Sequence, residues 1–180
     1  VTGLVGPNGS GKSTLLKTIF GLTDVSAGTI TCGGQPVLGR PTERLNELGL
    51  AYVPQRENVF RTMTVRENLL LAMRGPAGSA STAASTLEEC LARFPILRKR
   101  QAQKAGQLSG GERQMLAIAM GWLAQPTLML LDEPSAGLSP LFVTEVFQTL
   151  KSLCAGGITL VVVEQNARSI LRFCDYAFIL

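Results

Sequence analysis

The sequence predicts an α/β fold in which a mainly parallel sheet is flanked by helices and carries an inserted helical segment. Near-continuous apolar runs at residues 128–131 and 158–163 are typical of central strands in a parallel sheet. Between them, residues 141–153 have apolar side chains at helical spacing. Strands that alternate with helices indicate a sheet covered by helices on both faces.

The domain organisation follows from where this alternation is interrupted. Residues 1–60 and 113–180 contain the strand-like runs, whereas about residues 61–112 show helical patterns without a strong strand. We therefore expect one domain over the whole chain, with its core in the first two ranges and a helical insert in the third. A chain of 180 residues is long enough for such a core and a small insert.

The individual elements are predicted from hydrophobic periodicity and from turn residues. The small-residue stretch at 75–85 indicates a flexible loop. Strands are expected at residues 1–5, 29–32, 49–53 and 175–180, and helices at residues 12–20, 65–73, 86–94 and 109–123.

The composition argues against several classes of function. The chain contains no histidine, which removes Cys/His zinc sites and His-dependent catalytic triads. Its net charge of +4 is small for 180 residues, so we expect no nucleic-acid partner. The longest uncharged stretch, residues 114–131, is interrupted by Gln125 and Pro126. It therefore predicts a helix followed by a buried strand rather than a transmembrane helix.

The first motif that carries chemistry is a phosphate-binding loop. The run GPNGSGKST lies between a predicted strand and a predicted helix, as the G-x-x-x-x-G-K-[ST] pattern requires, which argues against a chance glycine-rich turn. Glycines let backbone N–H groups surround the phosphates of ATP, Lys12 adds positive charge, and the Ser13 hydroxyl suits Mg²⁺. With the sheet pattern, this motif predicts a RecA-like phosphate-loop NTPase fold. The predicted nucleotide-binding residues of the loop are Gly6, Pro7, Asn8, Gly9, Ser10, Gly11, Lys12, Ser13 and Thr14.

The second motif is an apolar strand that ends in two carboxylates, Asp132 and Glu133. In this kind of sheet, ligands bind in the crevice at the carboxyl ends of the strands, beside the phosphate loop. We expect Asp132 to hold Mg²⁺ through water, and Glu133 to orient the attacking water or to accept its proton. Acidic residues at a strand end are common by themselves, and the functional interpretation depends on the accompanying phosphate loop.

The third motif, LSGGE, starts a helix in an unusual way. Ser109 with Glu112 three residues later satisfies a capping box, and an apolar-periodic helix follows. However, Gly110 and Gly111 would lie in the first turn, where each glycine is disfavoured by about 1 kcal/mol relative to alanine. Bare N–H groups at a helix N-terminus form a second anion site that glycines let a phosphate approach closely. One nucleotide cannot easily use both sites of one chain, which suggests ATP sandwiched between two protomers.

The three motifs, together with a glutamine after a strand in YVPQ, resemble the ABC ATPase family in their order and spacing. The resemblance covers essentially the whole chain and implies head-to-tail dimerisation, with Ser109, Gly110 and Gly111 of one protomer at the γ-phosphate held by the other. It also implies that Gln55 contacts Mg²⁺ or the attacking water and senses a transmembrane permease. A peripheral position on the cytoplasmic face of the inner membrane follows from the same resemblance.

Two positions depart from the pattern of most of the family. Gln165 stands where a histidine usually contacts the γ-phosphate, and glutamine can donate a hydrogen bond but cannot carry a charge. Ser139 stands where many relatives have aspartate. The phrases EQNA, EPSAGLSP and ERQMLAIA resemble the ATPases of branched-chain amino acid importers and of the similar urea-type importers. This resemblance implies amino acid import, with a solute-binding protein as a further partner.

The ends of the sequence suggest a fragment that lacks both ends of the domain. The chain does not begin with methionine, and it enters the phosphate loop after five residues, none of them aromatic. Relatives place an adenine-stacking aromatic upstream of that loop. We therefore expect these 180 residues alone to bind ATP weakly.

Two alternatives stay open at this point. One is an ABC ATPase that acts on DNA or ribosomes, which the basic isoelectric point of about 9.1 would favour. The sequence shows no tandem cassette and no long basic run beyond residues 98–100. The other is an unrelated phosphate-loop NTPase or kinase, against which LSGGE argues.

Overall fold

The strands and helices alternate along the chain as the sequence predicts. The computed structural model describes residues 1–73 and 80–180. Its strands are β1 (Thr2–Val5), β2 (Thr31–Cys32), β3 (Gln35–Pro36), β4 (Leu50–Val53), β5 (Leu128–Asp132), β6 (Thr159–Glu164) and β7 (Tyr176–Ile179). Its helices are α1 (Lys12–Ile19), α2 (Thr42–Glu47), α3 (Val65–Ala72), α4 (Ala80–Arg93), α5 (Pro95–Arg98), α6 (Gly110–Leu123), α7 (Pro140–Ala155) and α8 (Ala167–Leu171), with a 3₁₀ helix at Ala105–Gln107.

The main sheet has the strand order β4-β5-β6-β1-β7, and its four strand pairs are all parallel. β6 lies between β1 and β5, so that Val163 pairs with Leu4 on one side and with Asp132 on the other. Because the strands are parallel, their carboxyl ends meet at one edge of the sheet. That edge is where the motifs after β1, β4, β5 and β6 come together.

Side chains that alternate along the strands pack against helices on both faces of the sheet. On β5, Met129 and Leu131 belong to the largest buried cluster, which also contains residues of α6 and α7. Leu130, between them, belongs to a second cluster with Leu16 of α1. The prediction of a sheet covered on both faces is confirmed.

Residues 61–112 contain helices and no strand among the residues described; a single antiparallel bridge joins Thr64 to Lys104. α3 begins at a capping box, in which the Thr64 hydroxyl accepts from Glu67 N and the Glu67 carboxylate accepts from Thr64 N. The Asn68 side chain is fully buried on this helix. It accepts from Phe60 N at 2.8 Å and donates to Thr64 O at 2.8 Å, which fixes the segment that leads into the helices.

Some predicted boundaries were wrong. The loop expected at 75–85 lies partly outside the described residues, and from Ala80 onward the chain is already helical in α4. Alanine has the highest helix propensity, which outweighs the local content of serine and threonine. The strand expected at 29–32 is only β2, paired with β3 in a separate small sheet. β3, α2 and α8 were not predicted, because elements of two to six residues carry too little periodic signal.

The start of α6 packs tightly against α7. A Cβ atom added to Gly111 would overlap the ring of Phe142, and Gly111 is buried. A Cβ atom added to Gly110 would meet its nearest atom, Cδ2 of Leu138, at 3.7 Å, which is ordinary contact. The two glycines of the LSGGE motif therefore have different requirements: Gly111 needs the missing side chain for packing, and Gly110 does not.

We expect Gly111→Ala to lower the free energy of unfolding by about 1–3 kcal/mol, because overpacking forces side chains or backbone to shift. Gly110→Ala is the matched control and should be neutral or stabilising by up to about 1 kcal/mol, since alanine is the better helix former. Urea denaturation followed by circular dichroism measures both changes. In a Phe142→Ala background the cost of Gly111→Ala should shrink; an unchanged cost would show that the overlap is not its cause.

Candidate active site

The carboxyl ends of four adjacent strands supply the predicted catalytic and phosphate-binding groups. The loop at 6–11 follows β1, Gln55 follows β4, Glu133 follows β5, and Gln165 follows β6. In the sheet, β6 lies between β1 and β5, and β4 lies on the other side of β5. The structure thus brings the phosphate loop and the two carboxylates to one edge, in the crevice where α/β sheets bind ligands.

The phosphate loop has the backbone conformation that its glycines allow. Gly9 and Gly11 have φ angles of 85° and 92°, in the left-handed region that favours glycine. Gly11 is also the N-cap of α1, and no side chain caps this helix. The N–H groups of the first turn therefore remain available, together with the positive end of the helix dipole, for the phosphates of a nucleotide.

Lys12 places a positive charge inside this loop. Its side chain is buried, with 4% exposure, and its ammonium group donates to Pro7 O at 2.7 Å and to Ser10 Oγ at 3.4 Å. In the part of the chain that the structure describes, no carboxylate forms an ion pair with Lys12. A buried cation held by neutral oxygens is ready to bind an anion, as the sequence predicts for a phosphate contact.

Asp132 and Ser13 are in direct contact. Ser13 Oγ donates to Asp132 Oδ1 at 2.7 Å, and the Tyr52 hydroxyl donates to Asp132 Oδ2 at 3.2 Å. Magnesium is commonly held by one or two protein oxygens together with phosphates and water, so a hydroxyl beside a carboxylate suits it. Outside residues 74–79, no cluster of three or more acidic, His or Cys side chains could hold a metal by itself. The donor set therefore fits a metal that arrives with a nucleotide.

Tyr52 was not among the residues predicted from the sequence. It lies on β4, opposite Leu130 of β5, and its ring is tilted against Phe20 with centroids 5.5 Å apart. Burial, the charge of Asp132 and the hydrogen bond to it raise the pKa of Tyr52. The phenol therefore stays protonated and remains a hydrogen-bond donor to Asp132. The only available signal was that Tyr52 is the first residue of YVPQ, in an apolar strand, and nothing local to it points to Asp132.

Glu133 and Gln55 form the next contact along the edge. Gln55 Nε2 donates to Glu133 Oε2 at 2.7 Å. Glu133 has φ 46°, a left-handed conformation that is costly for a residue with a side chain, and its N–H donates to Val163 O at 2.9 Å. Left-handed residues of this kind persist where the surroundings fix them, which is frequent at functional sites.

Gln165 and Glu133 line the same cavity, which has a volume of about 480 Å³. Ser135, Gly137 and Glu164 also line it. Glu164 was not predicted as a site residue, although a charged residue at the end of the apolar run 158–163 was a visible signal. The structure therefore brings the three predicted catalytic residues together, with Gln55 and Gln165 on either side of Glu133.

The LSGGE turn forms the N-terminus of α6. Ser109 and Gly110 are exposed, and the capping box is formed, with Ser109 N donating to Glu112 Oε2 at 2.8 Å. Glu112 N donates to Ser109 Oγ at 3.2 Å. Among the described residues, the N–H groups of Gly110 and Gly111 have no acceptor. The turn thus has unpaired donors at the N-terminus of α6, with Gly110 exposed and Gly111 buried against Phe142 of α7.

No helix in the described part of the chain is long and apolar enough to cross a membrane. The stretch 114–131 is divided between α6 and β5, as the sequence predicts.

The comparison with known proteins agrees with this geometry. A family model described as ABC transporter matches residues 1–136. The high-affinity branched-chain amino acid transport ATP-binding protein BraG of Pseudomonas aeruginosa is 40% identical over 177 residues, which cover 98% of this chain and 75% of the relative. The probable branched-chain amino acid transport ATP-binding protein LivF of Archaeoglobus fulgidus is 42% identical over 181 residues, covering 100% and 76%.

Among solved structures, the chain is similar to a dimeric ATP-binding cassette, MJ0796, in a post-hydrolysis state bound to ADP and Pi. The TM-score is 0.85 at 28% identity, over 99% of this chain and 80% of the other. The phosphate loop, the paired carboxylates and the LSGGE turn thus occur together on a fold shared with nucleotide-bound cassettes. The chain belongs to the ABC transporter family, as an ATP-binding subunit that hydrolyses ATP.

Proposed function

We propose that this ATPase powers the import of branched-chain amino acids. The observation that carries the proposal is the 40% and 42% identity, over nearly the whole chain, to two proteins named for branched-chain amino acid transport. The EQNA segment after β6, typical of that subgroup, supports the same assignment. In this role the chain works on the cytoplasmic face of the membrane, with a permease and a solute-binding protein as partners.

We infer that hydrolysis proceeds by positioning and by charge stabilisation. The phosphate loop and Lys12 bind the triphosphate, and Ser13 and Asp132 hold Mg²⁺, which neutralises charge on the phosphates. Glu133 orients the attacking water and accepts its proton, while Gln55 holds the Glu133 carboxylate in place. Gln165, on the other side of the cavity, donates a hydrogen bond towards the γ-phosphate.

The two separate anion sites support a head-to-tail dimer. The N–H groups of Gly110 and Gly111 are unpaired at the N-terminus of α6, where Ser109 and Gly110 are exposed, while the phosphate loop lies at the carboxyl edge of the sheet. In the proposed dimer, the LSGGE turn of each protomer completes the phosphate site of its partner. ATP then acts as part of the interface, and hydrolysis weakens it.

The segment after Gln55 is the proposed route to the permease. Asn58 Nδ2 donates to Pro54 O and to Gln114 Oε1, each at 3.2 Å, which ties this segment to α6 behind the LSGGE turn. Phe60 follows, with 51% exposure and with its backbone N–H and carbonyl bonded to the Asn68 amide. Such a fixed and exposed aromatic suits docking of a short permease helix.

Three apolar residues after Gln55 could receive this helix, namely Val59, Phe60 and Met63, and Phe60 is the exposed one. Val59 is partly buried against the core, and Met63 is half-buried. We propose that residues 61–112 form the helical insert that moves with the docked permease.

The catalytic proposal predicts that Glu133→Gln lowers the ATPase rate by about 10²–10⁴-fold while ATP binding persists, because the general base is lost. The variant should accumulate as an ATP-bound dimer, measured by size-exclusion chromatography with light scattering. Adding Ser109→Arg should abolish that dimer without weakening nucleotide binding. Ser152→Arg, at an exposed position of α7, is the matched control and should leave the dimer intact.

Two results would contradict this scheme. An active Glu133→Gln variant would remove Glu133 from its role as the base. A Glu133→Gln dimer that survives Ser109→Arg would show that the LSGGE turn does not contact the nucleotide of the partner.

For the docking surface, we expect Phe60→Asp to reduce co-purification with the permease by at least about tenfold, because a charge replaces an aromatic side chain that the proposed contact would bury. ATP binding by the isolated subunit should not change. Leu22→Asp is the control, since Leu22 is exposed to a similar extent, 50%, and lies outside the proposed surface. Equal losses for both variants would argue against docking at Phe60.

The transported solute is tested by reconstitution of the subunit with its permease and solute-binding protein in liposomes. Uptake of labelled leucine, isoleucine or valine should require ATP inside and should disappear with Glu133→Gln. ATP-dependent uptake of urea, with no uptake of these amino acids, would instead assign the chain to the urea-type importers.

A further inference from the structure

Glu164 is a buried carboxyl group that the catalytic scheme does not use. It is the last residue of β6, it directly precedes Gln165, and its exposure is 2%. Burial raises the pKa of this carboxyl, while hydrogen bonds from Ser135 and from the Gln165 backbone oppose the rise. An ionisable group in such a position is costly unless its hydrogen bonds are made, so the identity of its partners is informative.

The main partner of Glu164 is the turn that follows Glu133. Ser135 N donates to Glu164 Oε1 at 3.0 Å, and Ser135 is itself buried. Within the turn, Ala136 N donates to Glu133 O at 3.1 Å and Leu138 N donates to Ser135 O at 3.2 Å. These internal bonds close the turn on itself, whereas the bond from Ser135 attaches it to the end of β6.

We propose that Glu164 is a positioning residue for ATP hydrolysis, which holds the turn at 133–138 against β6 and thereby sets the separation of Glu133 and Gln165. The inference rests on the proposed role of Glu133 as the base. Glu133 and Gln165 line one cavity, and Glu164 joins their two segments across it. A single carboxyl group thus connects the segment that carries the base, Glu133, to the segment that carries Gln165, which donates a hydrogen bond towards the γ-phosphate.

The conformation of Glu133 supplies the physical reason. Its left-handed φ of 46° persists only if the surroundings fix it from more than one side. Val163 O fixes its N–H, and Ser135, two residues later, is fixed by Glu164. Loss of the second attachment lets the backbone of Glu133 relax, which moves its carboxylate away from the attacking water. Displacement of a catalytic group by about 1 Å can lower a rate by about 10²-fold.

Two conservative variants distinguish the effect of the length of the Glu164 side chain from the effect of its charge. Glu164→Gln keeps the length and an oxygen that can accept from Ser135 N, but it removes the charge. Glu164→Asp keeps the charge but is shorter by one methylene group, so it cannot span to Ser135 N without movement of the backbone. Positioning therefore predicts that the glutamine variant is the more active of the two.

The test uses the intact ATPase subunit with MgATP and measures kcat, KM, nucleotide affinity and Tm. We expect Glu164→Asp to lower kcat by about 10–100-fold with KM and nucleotide affinity within about twofold of the parent, and Glu164→Gln to stay within about threefold in kcat. Val162→Ala is the control, since Val162 is fully buried on the same strand and its apolar side chain cannot form a hydrogen bond to the turn. It should lower Tm while leaving kcat unchanged for the folded protein.

The proposal is overturned if the aspartate variant keeps full kcat, or if the glutamine variant loses as much as the aspartate variant. A lower Tm with an unchanged kcat for Glu164→Asp, which is the result expected for Val162→Ala, would make Glu164 a purely structural residue. Glu133→Gln is measured alongside. An active Glu133→Gln variant would show that Glu133 is not the base. An inactive Glu133→Gln variant together with a fully active Glu164→Asp variant would refute only the positioning role of Glu164.

Discussion

The site depends on the insertion of β6 between β1 and β5 in a parallel register. Val163 pairs with Leu4 of β1 and with Asp132 of β5, so the loop after β1 and the acids after β5 lie one strand apart on each side of β6. Parallel strands end at the same edge, and only there do backbone groups and side chains from distant parts of the sequence become neighbours. The proximity of the phosphate loop, the carboxylates and Gln165 is a consequence of this single arrangement.

Three carboxylates lie close together at that edge, and each is held by a donor from a different element. Asp132 accepts from Ser13 and Tyr52, Glu133 accepts from Gln55, and Glu164 accepts from Ser135 N. Nearby negative charges repel one another and are poorly solvated, so these donors offset a cost that the sheet edge imposes. Lys12 and the first turn of α1 provide positive potential on the side where a triphosphate binds.

The separation of the two anion sites has a different physical origin. The phosphate loop needs positive φ angles at Gly9 and Gly11, whereas the LSGGE turn needs Gly111 because Phe142 occupies the space of a side chain. The first requirement arises within the loop and the second arises from packing between α6 and α7. Ser109 and Gly110 of the turn are exposed, whereas Gly111 is buried against Phe142.

One apolar cluster joins the helical segment to the sheet, with Leu69 and Leu91 together with Met129 of β5, and side-chain amides add polar links. Asn58 links the residues after Gln55 to Gln114 on α6, and the Asn68 amide holds Phe60 and Thr64 in place. Gln114 Nε2 is buried with no partner among the described residues, so this link is incompletely satisfied. A buried polar group without a partner is costly, so this junction is a weak point of the packing.

The sequence by itself determined what arises from near neighbours in the chain. The spacing of glycines and lysine gives the phosphate loop, Ser109 with Glu112 gives the capping box, and apolar runs give the central strands, because each depends on residues a few positions apart. The contacts of Tyr52 with Asp132, Gln55 with Glu133 and Glu164 with Ser135 span 80, 78 and 29 positions, and no local pattern encodes them. Only the strand order decided those pairs, since packing of the whole sheet chooses which strand ends become adjacent.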